Sequence, residues 1–152
     1  MAHVRKQIRD RIASTLTSSV SLVSSRVFAS RVYPLTKAKL PAITVYTGSE
    51  VSNRLNMGVS DLNRSLSVEV DIYVRATNTF DDDVDAIAVQ VEEAIAADFT
   101  VNSLAKEAVL SGTDIQFSGD AEQPIGVAKL TFTVRYVTCL LYTSPSPRDD
   151  EL

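Results

Sequence analysis

The chain of 152 residues has one cysteine, one histidine and no tryptophan. A single cysteine excludes an internal disulfide framework and a cysteine-rich zinc site. The lone imidazole, His3, lies at the start of the chain, where backbones usually fray, so histidine-based catalysis lacks its residue. The five glycines form neither G-x-x-x-x-G-K-[ST] nor G-x-G-x-x-G, which removes the phosphate-cradling loops. No apolar run approaches the ~20 residues of a membrane span. The opening Met1-Ala2-His3-Val4-Arg5-Lys6 is polar, so no secretory leader is expected. Cations are not in surplus either. Fifteen Lys and Arg stand against 19 Asp and Glu, a formal charge of −4, which argues against a generally basic nucleic-acid binder. What remains is an ordinary globular composition, 45% hydrophobic and 22% charged, at a length that suits one domain. It points away from an enzyme and towards a binding or structural module.

Val4, Ile8, Ile12 and Leu16 are spaced four apart, which makes one apolar helical stripe over residues 3–18. The Ser- and Thr-rich stretch that follows predicts a helix end near Val20. Val27-Phe28 and Arg31-Val32-Tyr33 suit short extended pieces, and residues 40–47 alternate β-branched and aromatic residues as a strand does. Residues 48–63 look like a long polar connection, of a length usually reserved for functional or mobile segments. Over residues 64–76, Leu66, Val68, Val70, Ile72 and Val74 face one side of a strand, and Ser65, Ser67, Glu69, Asp71, Tyr73 and Arg75 face the other. A helix is predicted over residues 79–97, with Thr79 as N-cap and Val84, Ile87, Ala88, Val91, Ala94 and Ile95 as its buried stripe. Residues 108–118 and 127–138 read as two more strands, joined through a polar turn at 119–126 that contains Pro124. The expected fold is therefore α+β: a mostly antiparallel sheet of about four to five strands with two main helices packed on one face. It forms one domain over residues 1–138. Residues 139–152 carry Ser-Pro repeats without any period and are expected to be an extended tail. That tail is similar to translated sequencing-adapter DNA, so the native end is expected near Thr138, and Cys139 is given no chemistry.

Asp81, Asp82, Asp83 and Asp85 form the densest carboxylate group. A hard-cation site would need a ligand loop of the EF-hand kind, which is missing, whereas acids in a first helical turn answer the helix dipole. Glu92 and Glu93 are adjacent, point about 100° apart on a helix, and suit a solvated face. No metal, cofactor or catalytic residue is expected. The charge distribution says more. Residues 1–31 carry Arg5, Lys6, Arg9, Arg11, Arg26 and Arg31 against Asp10 alone, while residues 69–98 carry nine acids against Arg75. Three readings stay open: a DNA-binding helix, a solvated surface, and complementary patches that meet between copies in a ring.

The opening helix Val4-Arg5-Lys6-Gln7-Ile8-Arg9, the run Arg31-Val32-Tyr33-Pro34 and the strand Leu40 to Thr47 resemble the start of tailed-phage tail terminators of the lambda minor tail protein U type. The strand Ser65 to Val74, the helix Asp83 to Ile95 and the closing strand Leu130 to Tyr136 follow in that family's order. The resemblance covers about residues 3–138. It implies a structural virion protein, assembled in the host cytoplasm, that forms a homohexameric ring. The ring caps the tail tube, stops its polymerisation and offers its other side to the head-completion or connector protein. DNA passes through without sequence-specific binding, and no membrane is involved. The alternatives are a head-completion or neck adaptor at the same junction, and a DNA-binding accessory protein. Candidate assembly residues are Arg5, Lys6 and Arg9 on the first helix, and Asn53, Arg54, Asn56 and Met57 in the polar connection. On the polar strand face they are Glu69, Asp71, Tyr73 and Arg75. The connection is expected to reach towards a neighbouring copy or the tube.

Overall fold

The two most regular alternating runs of the sequence become the centre of the sheet. In the computed structural model, which describes residues 3–23, 26–29, 41–54, 61–75, 78–118 and 125–139, β3 (Asp61–Arg75) and β5 (Ile125–Cys139) pair antiparallel along their whole length. The register runs from Asp61 opposite Cys139 to Arg75 opposite Ile125. Side chains alternate across a strand, so every second residue lands on one face. Leu66, Val68, Val70 and Ile72 from β3, with Leu130, Phe132, Val134 and Tyr136 from β5, are buried on that face. Each such aliphatic or aromatic side chain contributes about 1.5–3 kcal/mol by leaving water.

β2 (Ala42–Arg54) flanks β3, and β4 (Glu107–Ser118) flanks β5, both antiparallel. The two-residue β1 (Val27–Phe28) joins β2 in parallel, giving the order β1-β2-β3-β5-β4. The chain leaves β3 through a helix and returns in β4, parallel to β3 with β5 between them. This is the five-stranded, mostly antiparallel α+β sheet expected from the sequence.

Both helices cover the apolar face. In α1 (Val4–Ser19), Ile8, Ile12 and Leu16 are fully or almost fully buried, and Val4 packs against the same core. The helix stops at Val20, whose backbone is extended. His3 does not fray: it is the N-cap of α1, and its Nδ1 accepts the Arg5 amide at 3.0 Å. Burial, together with the charges of Arg5 and Arg64, lowers its pKa. In α2 (Phe80–Ala97), Val84, Ile87, Val91, Ala94 and Ile95 are buried as the stripe requires, Ala88 is partly buried, and Phe80 joins them. Thr79 occupies the N-cap position, but its hydroxyl donates to the Asp83 carboxylate rather than capping an amide. α1 packs over β1 and β2, and α2 over β3 and β4. The start of α2 comes so close to β5 that a Cβ on Gly126 would lie 2.1 Å from the Phe80 ring.

The polar connection expected over residues 48–63 is largely strand. β2 continues to Arg54 and β3 begins at Asp61. The cause is a bulge between Thr47 and Glu50, where one extra residue of β2 faces β3. It reverses the alternation, so Glu50 sits opposite the inward Leu66 while Val51 turns out and is 61% exposed. An apolar-polar pattern read straight through the bulge therefore fails. Residues 31–33 and 119–124, as well as the tail from 140, lie outside the described residues. Cys139 is the last residue of β5, one beyond the strand end expected at Thr138.

After α2 the chain passes through Val101, Asn102 and Ser103 with φ of 49°, 53° and 66°. Left-handed backbone costs about 1–2 kcal/mol per non-glycine residue. Val101 is fully buried, and the Asp98 carboxylate accepts from the Asn102 amide and from Arg11 Nε, both at 3.0 Å. These contacts offset the strain. Burial pushes the Asp98 carboxyl up, but the Asn102 amide and Arg11 outweigh it, and its pKa is lowered.

Candidate assembly surfaces

The bulge in β2 carries Glu50 onto the helix side of the sheet, beneath the first turn of α1. Its carboxylate accepts from Arg5 Nη1 at 2.8 Å, from Arg64 Nη1 at 3.0 Å and from the Tyr136 hydroxyl. Arg64 in turn donates from Nε to Thr138 Oγ1 at 2.7 Å. One carboxylate thus ties α1, β2, β3 and β5 together where the apolar core runs out. Burial pushes the Glu50 carboxyl up. The hydrogen bonds from Tyr136 and Arg64 and the charge of Arg5 more than reverse this, and its pKa is held below the usual carboxylate range. Tyr136 is raised, first by burial and then by its bond to Glu50. Sequence reasoning missed this cluster. The available signal was Tyr136 in an inward stripe, since a buried tyrosine hydroxyl calls for a partner.

The opposite face of the sheet is mostly polar, and among the described residues no helix packs on it. Asp71 lies at its middle and is 4% exposed. Its Oδ2 accepts from the Tyr46 hydroxyl at 2.9 Å, while Oδ1 has no hydrogen-bond partner among the described residues. Lys129 Nζ stands 5.9 Å from the centre of the Tyr46 ring. Burial raises the pKa of Asp71; the bond from Tyr46 and the charge of Lys129 oppose that without cancelling it. Beside it, Glu69 Oε1 accepts from Thr131 Oγ1 at 2.7 Å. Burial also raises Tyr46 and Tyr73. This face thus carries linked polar side chains around a buried centre where, among the described residues, Asp71 Oδ1 and Thr44 Oγ1 stay unpaired.

The candidate residues from the sequence separate into three places. Arg5 is engaged by Glu50; Lys6 contacts Asp10 at 2.6 Å, and Arg9 reaches the same carboxylate at 3.9 Å. Asn53 and Arg54 are exposed at the far end of β2. Asn56 and Met57 lie outside the described residues. Glu69 and Tyr73 are half-buried on the polar face, Arg75 is exposed at the end of β3, and Asp71 is buried. The structure therefore brings Glu69, Asp71 and Tyr73 together but keeps them on the opposite side of the sheet from Arg5, Lys6 and Arg9. Among the described residues, no group of three or more His, Cys, Asp or Glu is placed to hold a metal ion. None of the helices among them is long and apolar enough to cross a membrane.

No curated protein sequence matches the chain. Among solved structures, it is similar to a chain from a "Virion of native gene transfer agent (GTA) particle". The TM-score is 0.51 and the identity 12%, over 86% of this chain and 94% of that one, which shows a shared fold. The model of the phage minor tail protein U family matches residues 3–136, from the N-cap of α1 almost to the end of β5. The protein belongs to that family, whose members are structural proteins of the phage virion rather than enzymes.

Proposed function

We propose that the chain is a tail terminator. Copies assemble into a homohexameric ring on the end of the tail tube, stop its polymerisation and present the far side to the head-completion protein, with DNA passing through the centre. The observation that carries this reading is the extent of the family match, which spans every described strand and both helices. The architecture supports it. The molecule's chemistry lies in polar, hydrogen-bonded surfaces on a stiff sheet, which suits a part that transmits contacts.

The test is polymerisation of purified tail tube protein with and without this chain. Tubes that stop growing, with a ring at one end in electron micrographs, are the expected result. Tubes that elongate unchecked while the chain binds the connector would assign it to the neck adaptor role instead. Salt-sensitive binding to free DNA, strong at ~50 mM salt, would favour an accessory DNA-binding role.

A further inference from the structure

The two helices divide the molecule's charge between its flanks. α1, over β1 and β2, carries Arg5, Lys6, Arg9 and Arg11 against Asp10, whereas α2, over β3 and β4, carries six carboxylates and no cation. Beyond α2 the sheet ends at the edge strand β4. Between the C-terminal half of α2 and β4 lies an open groove of about 580 Å³. Ala108, Leu110 and Phe132 are among the residues that line it. Phe99 lines it too and is 53% exposed. Glu92 and Glu93 supply its charge. Both are exposed, and neither pairs with a cation among the described residues. The third carboxylate of the groove, Glu107, is already held by Arg135 at 2.7 Å.

Apolar lining beside two unneutralised carboxylates fits a surface that brings cations on aliphatic stems. The chain carries such a surface on its other flank. Of the four cations of α1, Arg5 is held by Glu50, and Arg11 by Asp98 at the end of α2. Arg9 lies about 160° round the helix from Arg11, away from α2. Among the described residues, Lys6 and Arg9 form ion pairs only with the exposed Asp10; the Lys6 pair is exposed and exchanges readily, while Arg9 is half-buried, with its Nε buried and not hydrogen-bonded there.

We propose that the groove between α2 and β4 receives the α1 flank of a second copy, so that Lys6 and Arg9 of one subunit meet Glu92 and Glu93 of the next. The proposal rests on the ring reading and gives it a geometry. Groove and α1 are different patches of one chain, so the contact repeats head to tail and closes into a ring when the rotation allows. Phe99 is covered in the same contact.

Charge reversal on each side tests it. E92K/E93K and K6E/R9E each place like charges across the contact, and each should raise the dissociation constant of self-association at least about tenfold by sedimentation. Mixing the two variants restores complementary charge at every contact of an alternating ring, so the mixture should regain the wild-type mass. Recovery on mixing cannot come from misfolded chains. Phe99→Ser should weaken association with the charges intact. Rings that form normally from both reversed variants would overturn this interface and leave the ring reading standing. Loss of association in both variants without recovery on mixing would also overturn it. A wild-type chain that stays monomeric both alone at high concentration and on tube ends would remove the interface and the ring together.

Discussion

Glu50 and Asp71 are both withdrawn from water on opposite faces of one sheet, and they end in opposite states. Asp71 is the more buried, has its main donor in Tyr46 and a lesser one in Tyr73, and among the described residues keeps Oδ1 without a partner. Glu50 has three donors from three different elements. Burial disfavours a carboxylate's charge in both cases, yet the pKa is raised only at Asp71. At Glu50 three donors, two of them cationic, outweigh burial, whereas at Asp71 burial outweighs its neutral donors and the charge of Lys129.

The largest effect should come from removing the better-supported acid. Glu50→Ala leaves Arg64 and Tyr136 facing each other without a counter-charge and should cost about 2–3 kcal/mol in urea unfolding. A cost near zero would break the comparison. Tyr136→Phe removes one donor of three and should cost about 1–2 kcal/mol, with the Glu50 pKa moving upward. Asp71→Asn keeps an acceptor for Tyr46 and removes the ill-supported charge. It should leave stability at neutral pH unchanged or raise it by up to about 1 kcal/mol. A clear loss would show that Lys129 supports Asp71 better than the geometry indicates. Arg5→Ala should cost little, about 0.5 kcal/mol, because its partner keeps two other donors and Arg5 itself is 41% exposed.

The pH dependence sharpens the contrast, because the two signs are opposite. Glu50 has a folded pKa below its unfolded value, so its contribution is complete above the ordinary carboxylate range and is lost as pH falls through the folded pKa. For Asp71 the folded pKa lies above the unfolded one, so stability declines as pH rises through the interval between them. Thermal unfolding across mildly acidic pH should therefore lose its decline towards neutrality in Asp71→Asn and keep it in Glu50→Gln.

The parts of this fold governed by unbroken alternation were legible in the sequence. Leu66 to Val74, Leu130 to Tyr136 and the stripes of both helices went to the core as their spacing requires. What was not legible depends on partners distant in sequence. Glu50 looked like a loop residue because nothing local shows that Arg5, Arg64 and Tyr136 converge on it. Asp71 was assigned correctly to the polar face, but its burial comes from neighbours on β2 and β5 that alternation alone does not measure. Glu92 and Glu93 suit a solvated helix face by their spacing, and the groove beside them emerges only once β4 is placed next to α2.

The bulge between Thr47 and Glu50 makes the length of β2 a switch as well as a measure. Deleting Gly48 and Ser49 together would not merely shorten a hairpin. It would rotate residues 50–54 by half a turn, send Val51 inward and Glu50 out, and uncouple the first helix from the sheet. The rest of β2 would keep its register. Loss of the pair should therefore be far less tolerated than loss of either residue alone, which keeps Glu50 opposite Leu66, or than substitutions at Gly48 or Ser49, both of them exposed. In this strand the count of residues carries information that their identities do not.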